Sequence, residues 1–92
     1  MLKGNQSSIK KAISLIKKSD KESYKVLCKY IDTISESHCA RWGGLEGCYL
    51  RGSKVILIIP TKDQSGFTIA KRAEMIKKYA YFSKKFWENR QD

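Results

Sequence analysis

The sequence predicts an α+β fold in the order helix, helix, β-hairpin, helix, with the hairpin buried against the helices. Three observations predict it. Residues 7–38 carry apolar side chains at helical spacing, and so does the segment from about Asp63–Thr68 to about Asn89. Between them, Leu45–Pro60 holds the chain's one unbroken apolar run of five, Val55-Ile56-Leu57-Ile58-Ile59, bounded by turn residues.

Ser7 or Ser8 is placed to cap a first helix running to about Lys18. Ile9, Ala12, Ile13 and Ile16 fall on one face, with Lys10, Lys11, Lys17 and Lys18 around the rest. Ser19-Asp20-Lys21-Glu22 reads as a capping box with Ser19 as the cap, and it opens a second helix from Asp20 to about Ser37. The apolar stripe of that helix is Tyr24, Leu27, Ile31, Ile34 and then His38. Gly43-Gly44 marks a bend, with Trp42 in the same loop. The hairpin follows: Leu45–Leu50 outward, a turn through Arg51-Gly52-Ser53, and Lys54–Ile59 back, closed by Pro60. Its β-branched residues suit a pleated surface, and a strand that does not alternate is expected to be covered on both faces. The last helix begins near Asp63–Thr68 and ends near Asn89. Ile69, Ala73, Ile76, Ala80 and Trp87 form its inner stripe, widened by Phe82 and Phe86. A two-stranded sheet leaves open edges, so a homodimer that extends the sheet through a second copy is expected.

The 92 residues are read as one domain, 1–92. With 41% hydrophobic residues the chain has the composition of a folded protein. No apolar run approaches the ~20 residues needed to cross a bilayer, so no membrane partner is expected. The N-terminal MLKGNQSS lacks the apolar region of a signal peptide. Cys28, Cys39 and Cys48 cannot all pair within one chain, and the expected setting is therefore reducing and cytoplasmic.

Net charge is +10, and the excess is spread along the chain. Residues 1–40 carry eight basic and four acidic groups, 41–62 four and one, and 63–92 seven and four. No tail accounts for it, so the folded surface itself is cationic and attracts polyanions, of which nucleic acid is the commonest. Solubility alone is the competing explanation. The candidate phosphate-neutralising groups are Lys71, Arg72, Lys78 and Lys85 of the last helix, Arg51 and Lys54 at a projecting hairpin tip, Arg41 before the hairpin, and Lys17 and Lys18 of the first helix. Tyr81, the ring least well explained by the inner stripe, is a candidate for base stacking.

No catalytic set is apparent. Cys28, His38, Cys39 and Cys48 are soft-ligand types, but they lack the tight CxxC spacing of structural zinc sites, and buried inert thiols are expected instead. No phosphate-loop pattern occurs among the glycines. The leading expectation is a small, non-enzymatic nucleic-acid-binding protein, directed to the backbone with weak sequence preference and needing no cofactor. One alternative is a protein-binding inhibitor or adaptor of phage or plasmid type, docking on an acidic protein surface. The other is a ribosome-dependent RNase of toxin type.

Overall fold

The structure, a computed structural model, describes residues 3–4, 7–37, 47–50, 52–60 and 65–89. Its elements are β1 (Lys3–Gly4), α1 (Ser7–Ser19), α2 (Lys21–Tyr30), β2 (Thr33–Glu36), β3 (Gly47–Leu50), β4 (Val55–Ile58) and α3 (Gly66–Asn89). The α+β class is as expected. The strands form one sheet in the order β1-β2-β4-β3, in which β1 and β2 and then β2 and β4 pair in parallel, while β3 and β4 form the antiparallel hairpin.

The second helix is shorter than its periodicity suggests. It stops at Tyr30, and Ile31 turns to extended backbone at φ −128°, ψ 130°. Thr33–Glu36 then pairs with Val55–Ile58, residue for residue. Two forces favour this ending. Thr33 and Ile34 are β-branched and suit a strand. A continued helix would also leave one edge of β4 without partners for its backbone groups. The turn before β4 fixes the register, because the amides of Asp32 and Thr33 both donate to Lys54 O, at 2.8 and 3.2 Å. The cap of α2 is Asp20, one residue later than the capping box placed it. Its carboxylate accepts from Ser23 N at 3.1 Å and Ser23 Oγ at 2.8 Å, while Ser19 closes α1 by donating its hydroxyl to Leu15 O at 2.6 Å.

The core joins all three helices to one face of the sheet. Ile9, Ala12 and Ile16 of α1, Leu27 of α2, and Ala73, Ile76 and Ala80 of α3 cluster with Ile31, Ile34, Ile56 and Ile58. Val55, Leu57 and Ile59 are only half-buried, so β4 is not enclosed on both faces as its composition suggested. The helices gather on the Ile56 and Ile58 side, and the strand reads as continuously apolar because its other face is partly shielded. The open edges that argued for a second copy are met within the chain on one side, where β2 and β1 extend the hairpin.

Polar groups inside the fold are tied across elements. Ser83 Oγ, fully buried on α3, donates to Tyr30 O at the end of α2, at 2.7 Å. Cys48, 3% exposed, is disulfide-bonded, and Cys28 is a free, exposed thiol, so neither is the buried, inert thiol that was expected. Cys39 and His38 lie outside the described residues. Among the described residues no helix is long and apolar enough to cross a membrane, and no group of three metal-ligating side chains occurs.

At Gly47 the strand β3 comes close to both β4 and α3. A Cβ there would lie 2.5 Å from Leu57 O and 3.1 Å from Met75 Sδ. Tyr79 on α3 donates its hydroxyl to Gly47 O at 3.2 Å across the same gap. Gly47→Ala therefore forces β3 away from its neighbours and is expected to destabilise the fold by about 1–3 kcal/mol, as overpacking does. Urea denaturation followed by circular dichroism measures the loss, and a change below about 0.5 kcal/mol contradicts this packing.

Candidate nucleic-acid interface

Four consecutive turns of α3 sort its side chains by direction. Ala73, Ile76, Ala80 and Ser83 face the core, and all four are buried. Lys77 and Tyr81 lie on the flank toward α2. Lys77 Nζ is 3.7 Å from Asp20 Oδ2, and the Tyr81 hydroxyl lies 3.4 Å from Ser23 Oγ, whose own proton goes to Asp20. Met75, Tyr79, Phe82 and Phe86, spaced i, i+4, i+7 and i+11, form the flank toward β3.

The candidate cations divide by environment. Arg72 leaves the surface altogether. It is 4% exposed, with Nη2 3.1 Å from both Glu36 Oε2 and Ile59 O, and it ties α3 to the ends of β2 and β4. That guanidinium is structural and does not face a polyanion. The spacing that put Arg72 beside Lys71 gave no sign of this, because the Glu36 partner is on a strand the helical reading had hidden. Arg41 and Arg51 lie outside the described residues. Lys54 is half-buried with its ammonium 5.8 Å from the Trp87 ring, so the hairpin turn rests against α3 and does not project.

Among the described residues, several of the remaining lysines sit beside rings. Lys17 lies 5.6 Å from the Tyr24 ring, Lys71 5.8 Å from Phe67, Lys78 5.8 Å from Phe82 and Lys84 5.9 Å from Tyr81. A ring holds an ammonium by its quadrupole without cancelling the charge, so the field of these lysines persists into solvent.

A groove lies between α1 and the start of α3. Lys10, Lys11, Ser14, Leu15 and Lys18 of α1 face Gly66 and Ile69 across about 760 Å³. The three lysines are exposed, and none has a carboxylate partner among the described residues. Ser65 caps α3 at this end, its Oγ accepting from Thr68 N at 3.3 Å, so the helix presents its positive dipole end to the same groove. Lys10 and Lys11 were seen in the sequence only as the outer face of a helix. Their place opposite the start of α3 depends on the helix–helix packing.

A smaller notch of about 280 Å³ opens between the hairpin and the far end of α3, lined by Tyr49, Phe82, Lys85, Phe86 and Asn89. Phe82 is 49% exposed and packs edge-to-face on Tyr79, with ring centroids 5.8 Å apart. Tyr49 donates its hydroxyl to Ser53 O at 2.9 Å. Lys85 therefore joins rings and an amide here, and Tyr81, the ring singled out by the sequence, is on the opposite flank.

The carboxylates are drawn into structural roles. Asp20 accepts from Ser23 N–H and Ser23 Oγ–H and lies near Lys77, which together hold its carboxyl below the ordinary 3.8. Glu74, 3.0 Å from Lys77, with Asp20 behind it, pushes the Lys77 ammonium upward. A carboxyl lowered on folding adds stability that is complete above 3.8 and fades as pH falls through the lower folded value. Asp20→Asn keeps an acceptor at the cap but does not titrate. Its melting temperature is expected to fall less steeply than the wild type's when pH is lowered from about 4.5 to 2, and parallel curves contradict the linkage. Arg72→Ala removes from the half-buried Glu36 its 3.1 Å guanidinium partner, and from Ile59 O its donor, and is expected to cost about 3–5 kcal/mol. The paired change Arg72→Met with Glu36→Leu is expected to recover most of it, as read by urea denaturation. Among known proteins, no family model, no curated protein and no solved structure matches the chain.

Proposed function

We propose that the protein binds nucleic acid through the phosphate backbone, with weak sequence preference and without catalysis. The observation that carries this reading is the groove of Lys10, Lys11 and Lys18 beside the capped start of α3. Three ammonium groups without carboxylate partners among the described residues share one concave surface, and the helix dipole adds to their field. Lys78 and Lys85 continue the positive surface on the outer side of α3, where both are exposed. Cations that meet phosphates release condensed counterions, which supports affinity but reads no sequence. An acidic protein surface presents similar charge without the regular phosphate spacing, and it is the alternative against which the test is set.

Fluorescence anisotropy with random-sequence oligonucleotides at two salt concentrations tests the reading. If three lysines meet phosphates, affinity falls roughly twenty- to fortyfold between about 50 and 200 mM salt. The exposed triple variant Lys10→Glu/Lys11→Glu/Lys18→Glu is expected to keep the melting temperature and lose at least about tenfold in affinity at the lower salt. Unchanged binding by that variant, or none by the wild type at low salt, overturns the proposal, and the second result favours the acidic protein partner.

A further inference from the structure

We infer that the notch between the β3–β4 hairpin and the end of α3 receives one unpaired base, which makes the ligand single-stranded nucleic acid. The inference rests on the backbone-binding reading and adds to it a site and a strandedness.

The shape of the notch comes first. Its walls are the rings of Tyr49, Phe82 and Phe86, with Asn89 and Lys85 as its polar members. At about 280 Å³ it lies below the roughly 300–1,000 Å³ of pockets that hold drug-sized ligands, which suits one planar ring system and little more. A base has two apolar faces and a hydrogen-bonding edge. The rings match the faces, and the Asn89 amide offers both a donor and an acceptor to the edge.

Charge restricts the occupant further. Among the described residues no carboxylate lines the notch, Lys85 stands within it, and the Lys78 ammonium is held 5.8 Å from the Phe82 ring. A neutral apolar peptide would gain nothing from those two cations. A nucleotide strand supplies a phosphate on either side of each base, within reach of flexible lysine side chains. In a closed duplex the base faces are already stacked on their neighbours, so only an unpaired base can enter.

The walls are also preorganised. Tyr49 is tethered to Ser53 O, and Phe82 is braced edge-to-face on Tyr79. The turn sits close behind, since a Cβ on Gly52 would approach the Phe86 ring to 3.8 Å. Gly52 has φ +86°, so the hairpin bends here in a conformation that glycine adopts without strain. Phe82 nevertheless remains 49% exposed, a large ring with one side open to solvent.

The test uses the full chain with fluorescent ten-nucleotide oligothymidylate and oligouridylate, and a random duplex of equal length. The wild type is expected to prefer both single strands over the duplex. Phe82→Leu keeps an apolar side chain but removes the flat ring. It is expected to lose at least about fivefold in single-strand affinity, to retain its duplex affinity and to leave the salt slope unchanged, since no phosphate contact is removed. Phe82→Trp is expected to restore binding. Should Phe82→Leu lower the melting temperature, an oligothymidylate carrying one 2-aminopurine serves with the wild type: quenching on binding supports stacking, and unchanged emission overturns it. Equal wild-type binding to single strand and duplex, with steep salt dependence, sinks the base site and leaves the backbone reading standing. Absence of binding to any of the three probes at low salt removes both.

Discussion

The close approach of the three helices along small side chains is the constraint from which the rest of the structure follows. Ala12 of α1 and Ala73, Ala80 and Ser83 of α3 are all buried at the contact. Small residues there let the helix axes draw together, and Ile9, Ile16, Leu27 and Ile76 fill the space beside them. Ser83 Oγ, a fully buried hydroxyl in this seam, is satisfied by Tyr30 O, and the bond also anchors the end of α2. With α1 and α2 occupying one side of α3, its long side chains other than Lys77 and Tyr81 fall mostly on the flank toward β3 and the outer face. The lysines and the aromatic stripe of Phe82 and Phe86 are placed there by exclusion as much as by their own contacts.

The distribution of charge follows from the same packing. Carboxylates near the helix and strand ends are drawn into structural pairs: Glu36 with Arg72, Asp20 with the α2 cap and Lys77, Glu74 with Lys77, and Glu22 with Lys25. Glu22–Lys25 and Glu74–Lys77 lie within one helical turn, and the exposed pairs contribute little stability. Their consequence is topographic. They leave the outer face of α1 and the far end of α3 with lysines that no described carboxylate neutralises. On the proposed reading, a polyanion would meet the groove at the start of α3 and the notch at its far end.

Much of the fold was legible in the sequence wherever a local period was left undisturbed by distant partners. Ile9, Ala12, Ile13 and Ile16 mark α1 correctly, and Ala73, Ile76 and Ala80 mark the buried face of α3, because for those segments the helical period and the tertiary contact agree. They disagree at Ile31 and Ile34, which sit three apart as on a helix yet are buried from a C-cap and a strand. No local signal shows that β4 needs a partner there, and the parallel pairing joins segments about twenty residues apart. The candidate site was less legible for the same reason. Its charge and aromatic character could be read from composition, but the removal of Arg72 to the interior, the docking of the turn on Trp87 and the meeting of Tyr49 with Phe82 are all products of long-range packing.

Two-dimensional NMR of the ¹⁵N-labelled chain, titrated with a short single-stranded oligonucleotide at low salt, tests the account most directly. The expected result is amide shift changes confined to Lys10–Lys18, the start of α3 at Gly66–Ile69, and the hairpin turn with Lys78–Asn89. Changes centred instead on the acidic α2 start around Asp20–Lys25, or no change anywhere, would contradict it.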